Sequence, residues 1–95
     1  MQLVIAILAG KKYNVNKISE GMIQLAIRDF ISATIRASKA GYDGVELHLA
    51  HGYFLSEMVS PHTNKRKDRW GGTTENRVRI VKEIMMGIRK ELPDY

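Results

Sequence analysis

Cysteine is absent from this chain. Disulfides and thiolate metal sites are thereby excluded, and nothing in the sequence reports the redox compartment. No apolar run approaches the ~20 residues that a membrane-spanning helix needs. The opening MQLVIAILAG is apolar, but no basic segment precedes it and Lys-Lys follows, so it reads as a strand rather than a signal peptide. Proline occurs only at Pro61 and Pro93, and each reads as a break. Dense positive charge is also lacking. The net charge is +5, yet the basic residues are scattered and the tightest run, Lys65-Arg66-Lys67-Asp68-Arg69, is interrupted by an acid. No aromatic interleaving accompanies it, which argues against a nucleic-acid partner. The chain reads as a soluble, cytoplasmic protein, and 95 residues suffice for one small domain, not two.

What is present is a repeated strand-then-helix pattern. Residues 2–9 form a nearly continuous apolar run ended by Gly10, as a strand buried on both faces reads in a parallel sheet. Residues 11–17 are polar and read as a loop. Ser19 is a good N-cap with Glu20 after it. Ile23, Ala26, Ile27, Phe30, Ala33, Thr34 and Ala37 then recur at helical spacing, and Gly41 closes the helix. Asp43-Gly44 turns the chain into a second strand, residues 45–47. An amphipathic stretch at 54–59 ends at Ser60-Pro61, and residues 62–73 are charged, contain Gly71-Gly72 and read as a loop. Thr73 or Thr74 caps a last helix with Glu75 in its first turn. Val78, Val81, Ile84, Met85, Ile88 and Leu92 are its expected apolar stripe, Met85-Met86 reads as core filler, and Pro93 ends it. The fold class is α/β, and two strands joined through a helix should be parallel.

The chemistry concentrates in residues 41–53, GYDGVELHLAHGY. Alternation along the strand sets Val45 and Leu47 on one face and Glu46 and His48 on the other, with His48 at the carboxyl rim. That rim is where α/β sheets and barrels place their chemistry. Two imidazoles, His48 and His51, could direct N–H groups at one oxygen and stabilise a developing enolate. Tyr53, a phenol, is a plausible acid for a strongly basic carbanion. Residue types alone leave a second reading open, in which the histidines cap the strand end and the tyrosine packs. A metal site from His48, His51 and His62 is disfavoured, because the HxxH spacing is not that of a helical zinc site and no carboxylate stands at the right offset.

The string Gly41-Tyr42-Asp43-Gly44-Val45-Glu46-Leu47-His48-Leu49-Ala50-His51-Gly52-Tyr53 is followed by Ser60-Pro61, Asn64, Arg66, Asp68, Gly71-Gly72 and Glu75-Asn76-Arg77. Together these resemble the old yellow enzyme family of FMN-dependent NAD(P)H:flavin oxidoreductases and ene-reductases. The resemblance covers roughly residues 19–92. It implies a (β/α)8 TIM barrel with FMN across its C-terminal mouth, NAD(P)H as electron donor and an enone-type small molecule as acceptor. His48 and His51 then match the pair that hydrogen-bonds the substrate carbonyl or a bound phenol. Tyr53 matches the proton donor to the α-carbon after reduced flavin delivers hydride to the β-carbon. Gln2 is the candidate for the glutamine that contacts the flavin ring, although Val4-Ile5-Ala6-Ile7 replaces the histidine, glycine and arginine expected after it. The loop from Asn64 to Gly72 is expected to be structural, with Glu75 and Arg77 as ion-pair partners. Leu49 stands where the family often has glycine, and Glu57 where it often has glutamine.

Such a barrel takes about 250 residues, so the resemblance implies two consecutive parallel β/α units, a fragment of an incomplete domain. The isolated chain is then expected to be inactive, and open strand edges could drive self-association. A catalytically inactive small basic binding module is the alternative.

Overall fold

Ser19 begins the first helix as its side chain predicts. The computed structural model describes residues 14–49 and 54–95 together with the backbone of 2–5. Helix α1 spans Glu20–Lys39, and the Ser19 hydroxyl accepts from the Met22 N–H at 3.1 Å. That bond satisfies one of the amides a helix start leaves unpaired. Ile23, Ala26, Ile27, Phe30, Thr34 and Ala37 form its buried face. Gly41 closes it at φ 94°, where any residue with a Cβ would be strained.

Strand β1, Gln2–Ile5, pairs in parallel with β2, Gly44–Leu47, so that Leu3 lies opposite Val45 and Ile5 opposite Leu47. Helix α1 connects the two strands and packs against both. A short helix α2, Phe54–Val59, follows, and then α3, Thr74–Glu91. The Thr73 hydroxyl caps α3 by accepting from the Asn76 N–H at 3.1 Å. Helices α1 and α3 meet closely: a Cβ on Gly87 would run into the Ile31 side chain. One core joins Ile23, Ile27 and Phe30 of α1 to Phe54, Leu55 and Met58 of α2, to Ile80, Ile84 and Ile88 of α3, and to Trp70. Val45 and Leu47 pack against it from β2.

Three expectations change. The buried positions of α3 are Ile80, Ile84 and Ile88, whereas Val78 is 37% and Met85 46% exposed. The buried face is therefore turned toward α1 and α2, and two of the six expected stripe residues, Val78 and Met85, are left exposed. Met86 is likewise exposed, so the methionine pair does not fill the core. Among the described residues no ion pair joins Glu75 to Arg77. Arg77 donates instead to the Val59 carbonyl and the Thr74 hydroxyl. Expectations for residues 6–13 and 50–53 lie outside the described residues.

Candidate active site

His48 stands one residue past the end of β2 and is half-buried. It is held there because β2 is pinned in the sheet on one side while Val45 and Leu47 pack inward. Glu46, on the alternate face, is exposed to water, as an unpaired carboxylate prefers. Leu49 is also exposed. His51 and Tyr53 lie outside the described residues, as does the side chain of Gln2. His62 sits in an exposed turn after α2. Among the described residues no three potential metal ligands stand together.

The segment carrying His51 and Tyr53 runs from Leu49 to Phe54, and its far anchor is built with unusual care. Phe54, Leu55 and Met58 bury one face of α2. The end of α2 is then tied down by three side chains, the first being Thr63, whose hydroxyl donates to the Glu57 carbonyl at 2.7 Å. Asn64 Nδ2 donates to the Met58 carbonyl at 2.6 Å and to the Trp70 carbonyl at 2.8 Å. Arg77 Nε donates to the Val59 carbonyl at 3.2 Å. A six-residue helix cannot hold itself in water, so these bonds and the apolar face fix its position.

The loop that supplies Asn64 is itself fastened across the chain. Arg66 is buried and donates to the Val15 and Ile18 carbonyls at 2.8 and 2.7 Å. Its other edge grips Asp68, with Nε to Oδ1 at 3.1 Å and a second bond from Nη2 to Oδ2. This two-pronged bond from Arg66 holds the Asp68 carboxyl below the usual aspartate range. Trp70 is fully buried and its indole N–H donates to Glu20 at 2.7 Å. That bond, more than any other, draws the Glu20 carboxyl below its usual range. Arg69 covers the indole face at 4.5 Å from the ring centroid. Gly71 fits because a Cβ there would lie 2.6 Å from the Arg66 carbonyl oxygen and 2.7 Å from Asn64 Oδ1.

Sequence reasoning placed this loop as structural but missed its distant partners. Asn16 bonds Thr63 and Lys65, and Val15, Ile18 and Glu20 complete the attachment. No local pattern marks contacts some fifty positions apart.

The arrangement is that of an α/β protein with His48 just past the carboxyl end of a parallel strand, the edge that α/β enzymes use. Comparison with known proteins gives the family. The NADH:flavin oxidoreductase / NADH oxidase family matches residues 3–93. An NADH-dependent flavin oxidoreductase (iccE) of Talaromyces variabilis is 51% identical over 67 residues, 70% of this chain and 16% of that protein. An NADPH dehydrogenase of Bacillus cytotoxicus is 47% identical over 72 residues, 76% of this chain and 21% of its own length. The NADH:flavin oxidoreductase FG08077 of Gibberella zeae is 50% identical over 66 residues, again 70% of this chain and 16% of that protein. The chain belongs to the NADH:flavin oxidoreductase / NADH oxidase family. It spans about a fifth or less of the length of these relatives. No helix among the described residues is long and apolar enough to cross a membrane.

Proposed function

We propose that this chain is the substrate-polarising and proton-donating part of an FMN-dependent NAD(P)H:flavin oxidoreductase of the ene-reductase type. In this reading it forms two consecutive β/α units, an incomplete domain, of a (β/α)8 TIM barrel of the old yellow enzyme kind. The observation that carries the reading is the parallel pairing of β1 and β2 with His48 directly past the carboxyl end of β2. The match of the family to residues 3–93 supports it.

His48 and His51 hydrogen-bond the carbonyl oxygen of an enone, drawing electron density from the conjugated double bond. Tyr53 gives its phenolic proton to the α-carbon as the enolate collapses. The flavin, when bound, supplies hydride, and NAD(P)H restores it. Gln2 is the residue on this chain proposed to meet the flavin ring. A phosphate needs free cationic or amide donors, and the two arginines of the loop and the start of α3 that lie inward are already engaged. Arg66 is committed to Val15, Ile18 and Asp68, and Arg77 to Val59 and Thr74. In this reading most flavin-holding groups belong to other units of a complete barrel, and the working protein acts in the cytoplasm.

A graft tests the reading. Residues 19–92 replace the matching stretch of the Bacillus cytotoxicus NADPH dehydrogenase, and NADPH oxidation is followed with 2-cyclohexenone as acceptor. Turnover by the graft, lost when His48 and His51 are both changed to alanine, is expected. A graft that folds, binds FMN and keeps its turnover after that double change would refute the assignment.

A further inference from the structure

A helix leaves its last carbonyls without partners, and one as short as α2 cannot hold itself in water. Yet each carbonyl from Ser56 to Ser60 is claimed. Ser56 accepts from the Ser60 N–H at 3.1 Å, and Ser60 accepts from the Asn64 N–H at 2.8 Å. Between them the Glu57 carbonyl accepts from Thr63, that of Met58 from Asn64 and that of Val59 from Arg77.

Asn64 is the hub of this cap. Its side chain is buried, and the amide nitrogen gives one hydrogen to the Met58 carbonyl and the other to the Trp70 carbonyl. The amide oxygen accepts from the Arg66 N–H at 3.0 Å. Gly71 leaves room for it, since a Cβ there would stand 2.7 Å from that oxygen. Trp70 is fixed in turn by its burial and by its bond to Glu20. All of these partners lie within residues 20–77, so the cap does not depend on which strands flank the unit in a complete barrel.

The other end of α2 begins at Phe54, to which Tyr53 is directly bonded in the chain. His48 follows β2, and the backbones of β2 and α2 do not approach each other. The setting of α2 against β2 therefore runs through the shared core and the cap. We propose that Asn64 is a positioning residue for the proton donor: by tying the end of α2 to Trp70 it sets where the Tyr53 phenol stands relative to His48. The inference rests on the roles proposed for His48 and Tyr53. A misplacement of about 1 Å at a reacting group can cost about 10²-fold in rate, so a cap that lets α2 shift is felt in the proton transfer.

The graft carrying residues 19–92 tests this. Reoxidation of its reduced flavin by 2-cyclohexenone is followed by stopped flow in Asn64→Ala, in Tyr53→Phe and in the double variant. Asn64→Ala should slow reoxidation roughly ten- to a hundredfold and leave reduction by NADPH within about twofold. Added to Tyr53→Phe, the same change should cost no more than about twofold further, because Asn64 acts through the phenol already removed. Equal slowing in both backgrounds, equal slowing of both half-reactions, or no slowing at all overturns the proposal. If Tyr53→Phe itself leaves reoxidation unchanged, the donor role fails and the positioning role with it. If Tyr53→Phe slows reoxidation and Asn64→Ala does not, only the positioning role falls. Should Asn64→Ala fail to bind FMN, Thr63→Val at an exposed position removes only the bond to Glu57. It then decides the same comparisons, with slowing of about fivefold expected when Tyr53 is present and none when it is not.

Discussion

The two sides of α3 are built on opposite terms. Toward α1, α2 and the 62–73 loop it is packed closely, and no described buried side-chain nitrogen or oxygen lacks a hydrogen bond. Toward β2 the same helix lines a groove with Val81, Met85 and Ile88, of which Met85 is 46% exposed. The contrast is between a side closed by the chain's own packing and a side that is more open among the described residues. It also locates the stability of the chain in the loop rather than in the sheet, since two short strands contribute little alone.

Three substitutions or conditions sharpen that contrast, beginning with the strongest. Trp70→Ala empties a fully buried site and removes the bond to Glu20. It should cost about 3–5 kcal/mol, enough to leave so small a domain largely unfolded in a urea titration. Acid should act next. Asp68 and Glu20 both have lowered pKa values in the folded chain. Their stabilisation is full above the ordinary carboxylate range and is lost as pH falls through the depressed values. The acid limb of a stability-against-pH curve should therefore flatten in Asp68→Asn, while the wild-type and variant curves run parallel at neutral pH. The smallest effect belongs to the open side. Met85→Gln should change monomer stability by no more than about 0.5 kcal/mol, measured at a concentration too low for association. A large loss there would mean that the groove wall is already covered.

Much of this was legible in the residues, and what was not has physical causes. Helix α1 could be read from end to end because Ser19, its apolar period and Gly41 are all local signals. The start of α3 was equally plain at Thr73. Its buried face was harder, since Val78, Val81 and Met85 make as good a stripe with Ile84 and Ile88 as Ile80 does. Only the neighbouring helices choose between them. The 62–73 loop was expected to be structural, but its burial and its partners were hidden for a different reason. Its polar composition suggests a solvated segment, yet Asn64, Arg66 and Trp70 are buried, each satisfied by groups distant in sequence or by backbone carbonyls. At the strand tip the residue types pointed to chemistry, and the placement of His48 past β2 agrees with the expected carboxyl rim. His51 and Tyr53 remain assignments from sequence and family.

The most direct test separates the two half-reactions in the graft that carries residues 19–92. Flavin reduction by NADPH and flavin reoxidation by 2-cyclohexenone are each followed by stopped-flow absorbance, with Tyr53 and with Tyr53→Phe. Loss of a proton donor should slow reoxidation by roughly 10²–10⁴-fold and leave reduction within about twofold, because the role proposed for Tyr53 is on the acceptor alone. Equal slowing of both steps, or no slowing of reoxidation, would contradict the role given to this strand tip.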